Sequence, residues 1–306
     1  MIASFVITFR EVLEAALIVG IVLGYLAKTN QTKYNRIVYL AIGAAIAASI
    51  AGALAFTRIA GGFTGRVEQI FEGAAMLIGA ALLTTMILWM MKQREVASEL
   101  RERVAAEVAE SHRLGLFALV FVSVLREGIE TVIFLGAASF VSADNSLIGA
   151  LAGLLVAGVL GYAIFAGSMK LDLKKFFTVT SILLILFAAG LVAHGVHELQ
   201  EAGIVPVVVE HVWDINPALN PDGSYPLLHE NGLVGSILLT LVGYNGNPSL
   251  LEVVSYVGYL LLVFGLWRRI ENPRTTLERG GVAQPAGMVA PAGDKPTHQS
   301  KIVSSP

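Results

Sequence analysis

Apolar residues run along this chain in long blocks separated by short polar stretches. Seven blocks, at about 2–27, 37–57, 68–91, 115–140, 147–168, 175–197 and 250–268, approach or reach the ~18–20 residues that cross a bilayer core about 30 Å thick. The pattern predicts an all-α integral membrane protein with seven transmembrane helices. Between the blocks, residues 92–113 place Glu95, Glu99, Arg103 and Glu107 at helical spacing, which predicts a solvated cytosolic extension of span 3 with salt-bridged sides. Leu233 to Val242 predicts a short helix lying at the interface. Pro206, Pro217, Pro221 and Pro226 argue against long helices elsewhere in the segment 198–249. The last stretch, 271–306, is rich in Gly, Pro, Ala and Ser without apolar periodicity and is expected to be a disordered cytoplasmic tail. Residues 1–270 then form a single membrane domain.

Composition supports this class: 55% of the 306 residues are hydrophobic and only 14% charged, with a mean hydropathy of +0.71. The first block does not read as a cleavable signal, because it lacks a basic leader and is interrupted by Arg10, Glu11 and Glu14. With no cysteine, neither disulfides nor thiolate ligands enter. Seventeen of the 21 basic residues fall after spans 1, 3, 5 and 7, so those ends should face the cytoplasm. The expected orientation is N-terminus outside and C-terminus inside. Trp89 and Trp267 fit interfacial aromatics at the inner ends of spans 3 and 7, while Trp213 and Tyr225 fit anchors of the outer segment.

Two copies of one charged pattern lie inside the apolar blocks. Arg10-Glu11-Val12-Leu13-Glu14 sits in span 1 and Arg126-Glu127-Gly128-Ile129-Glu130 in span 4. Carboxylates in hydrocarbon cost several kcal/mol each, so they persist where they face a bundle interior and act there. Under the expected topology the motifs enter from opposite faces, each ~14–20 Å deep, and meet near the midplane. Spans 1–3 and 4–6 would then form a 3+3 inverted repeat with span 7 added, a recurring plan for transporters. Glu11 and Glu14 share one helix face, as do Glu127 and Glu130, and each Arg lies one turn before the second Glu. Four carboxylates against two guanidiniums leave negative charge that a hard cation with a preference for oxygen would balance. Small residues beside the motifs (Ala15, Ala16, Gly20, Gly24, Gly128, Gly136) would let these two spans approach closely. The competing reading is a pair of Arg–Glu helix clasps with the remaining Glu protonated.

A second set of ligand-type residues gathers at the outer ends. Glu68 and Glu72 open span 3; His194, His197, Glu198 and Glu201 close span 6 at one-turn spacings, and together they suggest an entrance or relay. The ordinary alternative is a hydrated helix end. The segment 198–249 has no Lys or Arg and would raise local cation concentration. His211 and Asp214 in that segment, and Glu252 one turn into span 7, are weaker candidates.

These residues resemble the high-affinity iron permeases, the group that contains the fungal plasma-membrane iron permease and the bacterial oxidase-linked iron transporter. The resemblance rests on both Arg-Glu-x-x-Glu motifs, on Phe71-Glu72-Gly73, on His197-Glu198-Leu199-Gln200-Glu201-Ala202-Gly203, and on the run Gly243-Tyr244-Asn245-Gly246-Asn247-Pro248-Ser249-Leu250-Leu251-Glu252. It covers roughly residues 1–270. It implies a seven-span plasma-membrane permease, in a bacterium an inner-membrane one, importing ferric iron with Glu11, Glu14, Glu127 and Glu130 as ligands and Arg10 and Arg126 as their charge partners. It further implies iron as a transported substrate, with no permanently bound cofactor, and a separate oxidase or periplasmic delivery protein as partner. Ferrous, manganese or lead ions on the same scaffold stay open, because oxygen ligands suit most hard or borderline cations. A membrane di-iron oxidase is disfavoured by the absence of any Glu-x-x-His, and a proton-coupled carrier of organic solutes by carboxylates where an anion would want donors. Neither a catalytic nucleophile nor a phosphate-binding pattern is present, so no enzymatic activity or nucleic-acid partner is expected.

Overall fold

A computed structural model describes residues 1–92, 96–109, 112–141, 146–167 and 173–271, with Met1–Ile270 in one compact unit. Among the described residues there are no strands. The long helices are α1 (Ile2–Lys28), α2 (Asn35–Ala60), α3 (Arg66–Lys92), α5 (Arg113–Val141), α6 (Ser146–Phe165), α7 (Leu173–Glu201) and α9 (Leu250–Glu271); α4 (Val96–Ala109) and α8 (Leu233–Val242) are short. A helix satisfies its own backbone hydrogen bonds, which makes it the natural solution for chains this apolar.

Among the described residues five helices, α2, α3, α6, α7 and α9, are long and apolar enough to cross a membrane. In α1 and α5 every eighteen-residue stretch holds at least three charged side chains, chiefly those of the motifs. Both are nonetheless about 40 Å long at ~1.5 Å per residue, longer than a bilayer core.

Packing between the halves is reciprocal. The first helix of each half lies parallel to the second helix of the other: α1 meets α6 through Gly153, Gly161 and Phe165, and α5 meets α2 through Gly128 and Gly136. The third helices, α3 and α7, cross antiparallel at Gly73 and Gly195. A Cβ on Gly73 would sit 2.9 Å from Gly195 O, and one on Gly195 would sit 3.1 Å from Gly73 O. One turn on, Leu199 packs on Gly73 and Leu77 on Gly195, so the contact repeats itself about a local two-fold. Gly73→Val is therefore expected to push α3 from α7 at a cost of ~1–3 kcal/mol. Thermal unfolding in detergent should register this as a lowered midpoint.

Some small residues serve contacts other than the expected one. Gly20 and Gly24 accommodate Phe165 of α6, and Gly128 and Gly136 accommodate Ser49 and Phe56 of α2; none of the four relieves crowding between α1 and α5. Nor does α4 extend into solvent as the charge pattern suggested. Its buried Leu100 and Val104 join Val22, Leu26, Leu116 and Val120 in a cluster at one end of the bundle. Leu100, Val104 and the partly buried Val108 on one face outweigh the charge alternation on the other. Arg94, Glu95 and the predicted tail 272–306 lie outside the described residues, as do the side chains of Glu99 and several inner lysines.

A second cluster joins α3, α5 and α7 through Met76, Leu83, Ile87, Phe134, Leu184 and Leu191, with Ala3 and Ile7 of α1. It separates two polar regions at opposite ends of α3.

Candidate metal centre

The first polar region is formed by the motifs of α1 and α5. Glu11, Glu14 and Glu127, all buried, bring one carboxylate oxygen each within 4.8 Å of one another, the arrangement expected of a metal site. Arg10 is fully buried and forks between the two glutamates of its own motif. Its Nη1 donates to Glu11 Oε1 at 2.9 Å, and its Nη2 lies 3.0 Å from Glu14 Oε1 without hydrogen-bond alignment. Arg126 donates Nε and Nη2 to Glu127 Oε1 and places Nε 3.4 Å from Glu130 Oε1. Glu130 completes the acidic set beside Arg126 without joining the close group.

The two halves of this centre differ in exposure. Arg10 and Glu11 are sealed, whereas the Arg126 side chain is 44% exposed and that of Glu130 20%. The centre is open on the side of the second motif. Arg126 also lies over the ring of Trp89, 5.1 Å from its centroid, and Arg10 Nη2 reaches Met90. Trp89, expected as an interfacial anchor, thus forms part of the site's wall; its position in the chain near a helix end gave no sign of this.

Oxygen accounting points to a cation. Glu11 Oε2, Glu14 Oε1, Glu127 Oε2 and Glu130 Oε2 are all buried without a hydrogen-bond donor, one oxygen from each motif glutamate. A buried carboxylate oxygen lacking a donor retains its full desolvation penalty, about 1–3 kcal/mol or more for a charged group; of the four, only Glu14 Oε1 has part of it offset, by the Arg10 guanidinium 3.0 Å away. Converging buried carboxylates also repel one another. A multivalent cation coordinated by oxygen relieves both costs at once.

The second polar region lies at the far end of α3 and α7. A cavity of about 480 Å³ is lined by His194, His197 and Glu201 of α7, Glu252 of α9, and Glu210, His211, Glu230 and Asn245 of the outer segment. The segment is strapped over the start of α9 by backbone bonds from Val212 N to Pro248 O, Ile215 N to Gly246 O and Leu250 N to Val209 O. Gly243 closes α8 at φ 69°, and its Cα packs on Gly190 of α7 so tightly that a Cβ would lie 2.5 Å from Gly190 Cα. A glycine is required there on both counts.

Glu252, a minor candidate from sequence, is the hub of this chamber. Its carboxylate is 3% exposed and takes His197 Nδ1 at 3.0 Å, Asn245 Nδ2 at 2.7 Å and Ser249 N at 3.1 Å. Glu252 N in turn meets Ser249 Oγ at 3.3 Å, a reciprocal capping box. The Ser-x-x-Glu spacing was the sequence signal that fixes Glu252 at the helix mouth. His197 Nε2 faces Glu201 Oε1 at 3.2 Å.

Other sequence candidates separate from the chamber. Glu68, Glu72 and Glu198 form an adjoining acidic surface, close enough to interact electrostatically and linked to the chamber wall where Gln69 Nε2 donates to Glu201 at 2.9 Å. Asp214 is exposed, accepts Asn216 N in a local turn and does not line the cavity. Trp213 gives its indole N–H to Asn245 O, and Tyr225 packs on His229, so both hold the outer segment together while remaining exposed. Glu210 and Glu230 belong to the segment 198–249 that lacks Lys and Arg, and nothing in their spacing marks them individually.

Between the two regions α3 runs from Gly73 to Trp89, about 24 Å at ~1.5 Å per residue. Met76, Leu83 and Leu191 in that interval are buried completely or nearly so. In this conformation the chamber and the carboxylate centre are separated by apolar packing.

Comparison with known proteins gives a consistent set. Residues 1–270 match the Iron permease FTR1 family. An uncharacterized protein of Archaeoglobus fulgidus is 37% identical over 273 residues, 88% of this chain and 95% of its own. The ferrous iron permease EfeU of Escherichia coli O157:H7 is 32% identical over 267 residues (85% of this chain, 93% of its own), and that of Yersinia pestis 32% over 268 (85% and 91%). No solved structure matches.

Proposed function

Because the chain belongs to the iron permease FTR1 family, we propose that it imports iron through the carboxylate centre of its two Arg-Glu-x-x-Glu motifs. The protein is a multi-pass protein of the plasma or bacterial inner membrane. The observation that carries the mechanism is the set of four buried glutamate oxygens, one from each motif residue, that lack donors.

In this reading α1 and α5 join the five apolar helices as spans, giving seven, with the N-terminus outside and the C-terminus inside. The reciprocal packing of the two halves supports an inverted repeat about the centre. Iron enters at the acidic mouth formed by Glu68, Glu72, Glu198 and Glu201. The glutamates of the centre replace water oxygens around the ion, and Arg10 and Arg126 keep the empty site from repelling itself apart. The apolar packing between mouth and centre favours alternating exposure over an open pore. A membrane potential contributes ~2.3 kcal/mol per charge per 100 mV toward inward movement. Iron is cargo here and no resident cofactor is needed; a separate oxidase or delivery protein would supply it.

Two readings of the ion follow from different observations. The all-oxygen donor set suits ferric iron, as the resemblance to the high-affinity permeases implies. The names of the bacterial relatives favour ferrous iron. Uptake of radioactive iron into proteoliposomes holding this chain alone, offered as ferrous ion under anaerobic reductant or as ferric citrate, decides between them. Uptake of neither by folded protein would count against autonomous iron transport.

A further inference from the structure

The outer chamber has a donor set unlike that of the carboxylate centre. His194 gives Nδ1 to Gly190 O at 3.0 Å and His211 gives Nδ1 to Asn247 O at 3.0 Å. A backbone carbonyl only accepts, so Nδ1 carries the proton in both rings. In neutral imidazoles this leaves Nε2 with its lone pair. An imidazole pinned through one nitrogen to a carbonyl, with the other left basic, is the arrangement that orients histidine for a metal. His197 is different: both its nitrogens face carboxylates, Glu252 and Glu201, so it serves as a brace.

Charge and volume point the same way. Glu201, Glu210, Glu230 and Glu252 line the cavity with no Lys or Arg among the lining residues. Among the described residues only the motif glutamates bring three ligand atoms within 4.8 Å, so the chamber is wider than a closed coordination shell. Its volume of about 480 Å³ exceeds that of an ion with six waters, about 180 Å³ at ~30 Å³ per water.

We propose that this chamber is a second cation site, in which His194 and His211 bind a partly hydrated divalent metal ion before it passes inward. Imidazole suits borderline divalent ions such as Fe²⁺ better than hard trivalent ones. The chamber therefore selects the divalent form at the mouth, with Glu210 and Glu230 supplying charge. Its role upstream of the motifs rests on the permease reading; its metal chemistry does not.

The test uses purified full-length protein in detergent, with Mn²⁺ as probe and the motif centre disabled by Glu14→Ala and Glu130→Ala. Free Mn²⁺ is counted by its electron paramagnetic resonance lines, and pulsed spectra report directly bound nitrogen. Binding should persist in this background with nitrogen couplings, and anaerobic Fe²⁺ should displace the probe. His194→Gln and His211→Gln should each weaken binding at least ~10-fold. His211 is exposed, so its variant should keep the parent's thermal midpoint. Asp222→Asn serves as control: Asp222 lies outside the chamber, in a turn where hydrogen bonds from Ser224 Oγ and N hold its pKa below the ordinary value. That variant should bind as the parent does. Absence of nitrogen couplings, or affinity unchanged in both histidine variants, overturns the proposal. Lost chamber binding with intact glutamate-dependent uptake would remove the chamber alone. Chamber binding with uptake indifferent to Glu14 and Glu130 would remove the motif reading alone.

Discussion

Replacing Glu14 or Glu130 by alanine is expected to reduce iron uptake by reconstituted protein to the background of empty liposomes, without loss of the folded bundle. The bonding pattern singles out these two. Arg10 keeps its aligned 2.9 Å hydrogen bond to Glu11 when Glu14 is removed, and Arg126 keeps its hydrogen bonds to Glu127 when Glu130 is removed. What disappears is an oxygen without an aligned hydrogen bond in the present structure, in Glu14 one held only by the unaligned approach of Arg10 Nη2, the kind a passing ion would use. Glu11→Ala should behave differently. It would leave a sealed guanidinium with only an unaligned partner, and breaking a buried pair in this way costs ~3–5 kcal/mol. The expected signature is therefore two classes of variant. Glu14→Ala and Glu130→Ala unfold near the parent temperature yet do not transport, while Glu11→Ala loses both stability and transport. Gel filtration and thermal unfolding beside the uptake assay separate them. Wild-type uptake by a monodisperse Glu14→Ala protein would take the centre out of the iron path.

The residues of this centre are legible in the sequence because two signals coincide. Charges inside apolar blocks mark positions that must face a protein interior, and a three-residue spacing puts both carboxylates on one helix face. The helices were legible for a related reason, since long apolar blocks leave the backbone few other solutions. Contacts across sequence distance were not. Trp89 reads as an interfacial aromatic because its neighbours in the chain lie near a helix end; its place beneath Arg126 depends on how α3 crosses α5. Gly20 and Gly128 read as spacers between the motif helices, while the partners they admit come from the second helix of the other half, α6 and α2. The chamber was hardest to see. Its walls combine the end of α7, where the one-turn spacings of His194, His197 and Glu201 carry a local signal, with the start of α9 and a proline-rich segment without periodicity, whose closure over α7 no local pattern announces.

Arg10→Lys tests the geometry of the centre more sharply than its conserved charge suggests. Arg10 spans two carboxylates at once, with Nη1 on Glu11 and Nη2 beside Glu14, and no solvent reaches it. An ammonium is one compact charge and cannot occupy both positions, so one glutamate would lose its partner inside a sealed site. The expected cost is ~3–5 kcal/mol of stability, as for other broken buried pairs, together with a severe loss of uptake. Arg126→Lys is expected to do much less. Its side chain is 44% exposed and directs both of its hydrogen bonds to a single oxygen of Glu127, so it does not bridge two buried carboxylates as Arg10 does. It would still weaken the cation–π contact with Trp89, which is worth about 0.5–1 kcal/mol at an exposed site. Thermal midpoints and uptake rates of the two lysine variants, measured side by side, should thus differ widely although the substitutions are chemically identical. Equal effects would mean that the first motif is hydrated in the membrane, and the contrast between a sealed and an open half of the centre would fall with it.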